Sequence, residues 1–173
     1  MVNQILLFFT VIGQITLIIL LISLLLKQKS IVNFFGKYAL FFAFVVVLIA
    51  TLGSLFYSEV AGYEPCKLCW FQRILMYPQV IILGMAFLKK DIGVVSYSIV
   101  LSAIGVVIAG YHYLLQIGVA SSSVGCSVVG YSISCAQRFV MGFGYITIPM
   151  MAFTAFLLII VFMVTLKLTT YEK

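Results

Sequence analysis

Five apolar stretches, each about as long as a bilayer is thick, leave this chain little choice of fold. They run roughly Gln4–Leu26, Tyr38–Tyr57, Trp70–Leu88, Ile92–Ile117 and Phe143–Leu166. Lipid offers the backbone no hydrogen-bond partner, so runs of this length satisfy their own N–H and C=O groups as helices. Barrel strands are excluded, because the runs are continuous and far longer than the roughly ten-residue alternating segments a barrel uses. Composition agrees: 65% of the residues are hydrophobic and 8% are charged, against about 25% charged in a soluble domain. The expected fold is all-α, a polytopic membrane protein. Every loop is too short for a second domain, and no repeat or heptad array is present.

The ten Lys and Arg residues set the topology rather than a nucleic-acid site, for no basic cluster of that kind occurs. Lys27, Lys29, Lys37, Lys89, Lys90, Lys167 and Lys173 fall on one side of the five-span arrangement, and Lys67, Arg73 and Arg138 on the other. The seven-charge side is expected to be cytoplasmic, which places the N-terminus outside and the C-terminus inside. The opening "MVNQ" has no basic residue, and the charges follow the first apolar run. That order is the reverse of a signal peptide, so the first segment reads as a retained helix.

This topology puts all four cysteines on the outer face. Cys66 and Cys69 lie where the third span begins, Cys126 and Cys135 between the fourth and fifth. An even cysteine count in an oxidising compartment favours disulfide chemistry over reduced thiols. In "EPCKLCWFQR", helical spacing aligns Cys66, Cys69, Arg73 and Met76 or Tyr77 on one face, with Pro65 suited to the first turn. Unpaired N–H groups and the helix dipole favour a thiolate at such a start. Arg73, one turn deeper, is costly in lipid without a partner. Together these residues point to an anion or polarisable acceptor between Cys69 and Arg73. Two plainer readings stand beside it: a structural disulfide, whose tiny loop would add little stability, and a structural zinc held by the four cysteines.

The second pair encloses "SVVGYSIS", in a Ser-rich loop where Gly125 and Gly130 give the backbone freedom. Two disulfides on one membrane face suggest exchange in series. The loop pair would meet a soluble partner, and the helix-anchored pair would pass electrons to something in the lipid. The single histidine, His112, shares a face with Gly105 and Ala109, while Ser98 and Ser102 continue a small-xxx-small pattern that lets helices approach. His112 is therefore expected in the bundle near its outer end, either hydrogen-bonded to a neighbour or in the acceptor pocket. Gln72 and Gln116 are weaker candidates of the same kind. The aromatics read as core and interfacial anchors.

Three motifs in this order resemble the DsbB/BdbC family of quinone-linked disulfide-forming membrane proteins. "CKLCWFQRILMYP" is similar to its CxxC helix, "GYHYLLQ" to its third core helix and "FGYITIPMM" to the start of its last helix, with a cysteine pair between the second and third. The resemblance covers roughly Phe41 to the C-terminus. It implies a four-helix core at 36–173 with two outer cysteine loops, preceded by an extra transmembrane helix at 1–35, in the bacterial cytoplasmic (inner) membrane. It also implies reoxidation of a DsbA-like thioredoxin-fold partner, with the electrons passed to ubiquinone or menaquinone. On this resemblance Cys69 faces the quinone as a thiolate, Arg73 stabilises the charge, and His112 lies near the quinone. Cys66 exchanges with the second pair, in which Cys126 forms the mixed disulfide with the partner and Cys135 exchanges with Cys66. The competing class is a non-catalytic scaffold or small transporter braced by outer disulfides or zinc. Transporters usually carry buried charges and broken helices near the midplane; here Arg73 lies near the edge, and Pro78 and Pro149 are the helix-breaking candidates. No nucleotide-binding fingerprint supports a flavin or nicotinamide route.

Overall fold

The structure, a computed structural model, describes residues 2–119 and 135–171. The expected spans fold as helices α1 (Val2–Leu25), α3 (Ala39–Leu55), α4 (Lys67–Lys89), α5 (Val94–Gln116) and α6 (Ile148–Tyr171), with a short α2 (Lys29–Lys37) between the first two. A π-helical turn, Phe56–Val60, extends α3. Five of these helices are long and apolar enough to cross a membrane, and no strand occurs among the described residues.

Helix α6 is the axis of the bundle and the most buried span, with α1, α2, α3 and α5 all packed against it. Close approach depends on small residues, because lipid supplies no hydrophobic drive between helices. Gly105 of α5 shows why. A Cβ there would lie 2.5 Å from the ring of fully buried Phe156 on α6. The stripe Ser98, Ser102, Gly105, Ala109 and His112 is buried along its length. It also carries a polar lock between α4 and α5: the Ser98 and Ser102 hydroxyls donate to Gln79 Oε1 at 2.8 and 3.2 Å.

Three features differ from the sequence expectation. Helix α6 starts at Ile148 rather than Phe143, because Phe143 (φ 50°) and Gly144 (φ 79°) form a left-handed turn closed by a Gly142–Ile146 bridge. Helix α4 starts at Lys67, so that Cys66 is its extended N-cap (φ −69°, ψ 171°) and not a member of its first turn. Pro65 therefore precedes the cap instead of occupying the first turn. Helix α2 is an addition to the five expected spans. At nine residues it is too short for a hydropathy span, yet Ile31, Phe34 and Phe35 have helical spacing, and Phe35 packs on Phe42 and Phe162 at ring distances of 5.5 and 6.3 Å.

Candidate active site

At the N-terminus of α4, Cys66 takes the place usually held by Ser or Asp: its sulfur accepts the Cys69 N–H at 3.4 Å. The hook brings the two sulfurs to 3.1 Å without a bond between them; both thiols are free. Cys66 caps the helix from outside its first turn and does not border the cavity that Cys69 and Arg73 line. The two sulfurs consequently serve different surroundings.

Cys66 is 4% exposed and packs in a buried cluster with Leu68, Leu115 and Cys135. His112 is behind it. Gln72 Nε2 donates to His112 Nδ1 at 3.0 Å, so with this amide orientation the ring proton is on Nε2. That nitrogen lies 3.1 Å from the Cys135 carbonyl and 3.6 Å from Cys66 Sγ. The hydrogen bond between the Cys66 and Cys69 sulfurs is the largest influence; burial opposes it, and His112 adds to the lowering. Together they hold the Cys66 thiol far below the ordinary range, at about 4. Cys135 is itself disulfide-bonded. Its segment is fastened to the end of α5, where Arg138 Nε donates to the Gln116 carbonyl at 2.6 Å and Gln116 Nε2 to the Gln137 carbonyl at 3.0 Å. A cation at a helix C-terminus also suits the dipole.

Cys69 packs against the edge of that cluster and also borders, with Arg73, a cavity of about 400 Å³ that Cys66 does not reach. The guanidinium is held by Ser54 on α3, with Nε donating to Oγ at 3.0 Å and Nη2 to the carbonyl at 3.1 Å. Tyr77 donates to the same Oγ at 3.2 Å. The π-helical turn begins two residues later; widening the ladder from i→i+4 to i→i+5 makes backbone acceptors available to other donors. Arg73 also lies over the Trp70 ring, 5.5 Å from its centroid. Tyr57, Tyr63 and Phe139, which also line the cavity, stack in series at 5.9 and 4.8 Å and join the end of α3 to the segment before α6. Farther in, the wall is almost wholly apolar. Guanidinium and phenol donors at one end and hydrocarbon beyond fit the expected quinone, which has carbonyl acceptors on its ring and an apolar tail.

Of the expected site residues, Cys69 and Arg73 meet at the cavity, while Cys66, His112 and Cys135 meet behind it. His112 does not border the cavity. Cys126, with Gly125 and Gly130, lies outside the described residues. Sequence reasoning missed Ser54, Tyr57, Tyr63 and Phe139; they come from separate segments, so no spacing links them to the CxxC. The Cys66, Cys69 and His112 donor atoms lie within 4.8 Å of one another. A four-cysteine zinc is not formed in this state, since Cys135 is disulfide-bonded.

Comparison with known proteins agrees with these features. The family model for "Disulfide bond formation protein DsbB" matches residues 36–166. The chain is 46% identical over 128 residues to "Disulfide bond formation protein C" of Bacillus subtilis, covering 74% of this chain and 91% of that protein. It is 45% identical over 125 residues to "Probable disulfide formation protein C 1" of Bacillus anthracis, covering 72% and 88%. A third relative, "SPbeta prophage-derived disulfide bond formation protein B" of Bacillus subtilis, is 45% identical over 130 residues, covering 75% and 84%. No solved structure matches significantly.

Proposed function

The chain belongs to the DsbB family of disulfide bond formation proteins, and from that membership we propose that it oxidises a soluble DsbA-like thioredoxin-fold partner and delivers the electrons to a membrane quinone. The observation that carries this reading is the division of labour at the CxxC. Cys66 is buried in a cluster with Cys135 and does not border the apolar cavity, whereas Cys69, at the edge of that cluster, reaches the cavity together with Arg73. The proposed arrangement is a core at 36–173 with an added helix at 1–35. The N-terminus and cysteine loops lie outside and the C-terminus lies in the cytoplasm of a bacterium. The asymmetry of basic residues, seven against three, supports that orientation.

The exchange chemistry follows from the two-sided pair. A partner thiolate attacks the Cys126–Cys135 disulfide at Cys126, forming a mixed disulfide and releasing Cys135 as a thiolate. Cys135 attacks Cys66 of an oxidised Cys66–Cys69 pair, and Cys69 leaves as the thiolate beside Arg73. The partner's second thiol then displaces Cys126, and the freed Cys126 thiolate attacks Cys135. This restores the loop disulfide and leaves Cys66 as a thiolate, hydrogen-bonded by its neighbours. The partner is now oxidised, and its two electrons rest on Cys66 and Cys69. That product matches the cysteine state described here: two free thiols in the CxxC and a disulfide at Cys135.

The resemblance puts the thiolate at Cys69, while the hydrogen bonds of this dithiol state favour the anion on Cys66. Each belongs to a different step. Cys69 is the leaving group during exchange, and Cys66 is the anionic sulfur once both are reduced. His112, away from the cavity, is assigned to Cys66 and to holding the Cys135 backbone. A quinone with its ring at the cavity mouth supplies a two-electron acceptor beside Cys69.

Purified protein, a reduced thioredoxin-fold partner and a short-chain quinone test the reading. Partner oxidation should require quinone and vanish in Cys69→Ser. Disulfides that resist mild reductant, with no quinone-dependent turnover, would return the chain to the scaffold class.

A further inference from the structure

We propose that α1, the helix preceding the family-matched region, is a wall of the acceptor cavity and selects the apolar tail that the cavity accepts. This deepens the quinone reading and rests on it. Leu6, Phe9, Thr10, Ile12, Gly13 and Thr16 of α1 all border the same cavity as Cys69 and Arg73. At helical spacing these positions fall within one broad face of the helix. The family match begins only at residue 36, so this wall is an addition to the matched core.

This face is fixed in place, not merely adjacent. Gly13 lets α1 approach α6 so closely that a Cβ there would meet Leu158 Cδ1 at 3.0 Å and Thr154 Cγ2 at 3.6 Å. Gln14 ties the contact from both sides: its Oε1 accepts from the Tyr145 hydroxyl at 2.9 Å and its Nε2 donates to Thr154 Oγ1 at 3.4 Å. Near the mouth, Leu6 reaches α3, where a Cβ on Gly53 would lie 3.0 Å from its Cδ2. Gly53 adjoins Ser54, the anchor of Arg73. Leu6 therefore closes the cavity beside the polar end, and Thr16 lies ten residues farther along α1, about 15 Å deeper at the helical rise.

The α3 wall gives the same dimension. Residues from Ser54 inward to Phe42 border the cavity, a span of about 18 Å. Arg73 and Tyr77 stand at one end, and the hydroxyls of Thr10, Thr16 and Thr154 are spent on carbonyls of their own helices, an arrangement that fits a small carbonyl head carrying a linear apolar tail. The occupant is the isoprenoid tail of the quinone, lying between α1, α3 and α6 instead of in open lipid. Lipid is as apolar as the wall, so transfer out of the bilayer supplies no hydrophobic gain. Discrimination has to come from shape, and α1 supplies the shape.

The test uses the full-length protein in lipid nanodiscs and quinone analogues that share one head but carry no, one or several isoprene units. Binding is read by quenching of Trp70, the only tryptophan, whose ring lies against Arg73. Thr16→Phe narrows the inner end without touching the mouth. The dissociation constant for the long-tailed analogue should rise about tenfold, the scale of an overpacking penalty in a shaped cavity. The tail-less analogue should bind as in the parent, which also shows that the variant has folded. A long-tailed analogue with a photoreactive tail terminus should label α1 between Ile12 and Thr16. Equal binding of every tail length by parent and variant, with labelling confined to lipid, would overturn the role of α1 while leaving the quinone site intact; a bilayer acyl chain would then be the occupant. Failure of every analogue to quench Trp70 in the parent would overturn the quinone reading, and this inference with it.

Discussion

Replacing Ser54 by alanine tests whether the acceptor end of the cavity is organised by α3 rather than by the CxxC helix alone. Ser54 Oγ accepts from Arg73 Nε at 3.0 Å and from the Tyr77 hydroxyl at 3.2 Å. Ser54→Ala removes both bonds but keeps the carbonyl that accepts Arg73 Nη2 at 3.1 Å. A hydrogen bond from a charged donor contributes about 1.5–3 kcal/mol, and a neutral one about 1 kcal/mol. Arg73 stays tethered by one bond, so the loss of orientation falls at the lower end, about 1.5 kcal/mol, equivalent to roughly tenfold in affinity. The assay is partner-coupled reduction of a tail-less quinone. KM should rise by that factor, with a smaller change in kcat. Ser54→Thr keeps the hydroxyl and should restore most of the loss. An unchanged KM in Ser54→Ala, or equal damage from Ser54→Thr, would refute the claim that Ser54 positions Arg73.

Two further predictions concern the thiols and the core. In the reduced protein, Cys66 should titrate near pH 4 by thiolate absorbance at about 240 nm, where an ordinary thiol titrates near 8.5. His112→Ala should move that midpoint upward, and a midpoint already near 8.5 in the parent would contradict the proposed hydrogen bonding. Because this folded-state value is depressed, its stabilising contribution is complete above the unfolded thiol's pKa. It declines as pH falls from about 8.5 toward 4, so the reduced protein should resist denaturation better at pH 8 than at pH 5. In the core, Gly105→Ala places a Cβ 2.5 Å from the Phe156 ring. The overpacking cost of about 1–3 kcal/mol exceeds the roughly 1 kcal/mol gained in helix propensity. A lower thermal midpoint in detergent is expected; a raised one would show that Phe156 can move aside.

The spans are legible because bilayer burial needs only length and apolarity, both one-dimensional properties of the sequence. The CxxC, Arg73 and the small-residue face of α5 are legible for a related reason: each follows from spacing along one helix. What escapes depends on packing between segments. The sequence shows Cys66 and Cys69 on one helical stripe, but Cys66 caps the helix in an extended conformation and turns to His112. His112 lies inside the bundle as its helical face requires, yet its depth along α5 does not reveal that the cavity lies on the far side of Cys69. Ser54 has no local signature, since its role depends on Arg73 nineteen residues away. Helix α2 is too short to stand out from a loop by hydropathy, and the turn at Phe143 and Gly144 hides inside an apolar run.

Disulfide mapping between the two cysteine pairs tests the central claim most directly. Two double variants in membranes, Cys69→Ser/Cys126→Ser and Cys66→Ser/Cys126→Ser, leave Cys135 with one CxxC thiol each. A thiol oxidant such as diamide then joins whichever sulfurs can meet. Cys66 is buried in the cluster with Cys135 while Cys69 only packs against its edge, so a Cys66–Cys135 bond should form faster than a Cys69–Cys135 bond. Equal rates, or faster joining of Cys69, would contradict the division of labour on which the account depends.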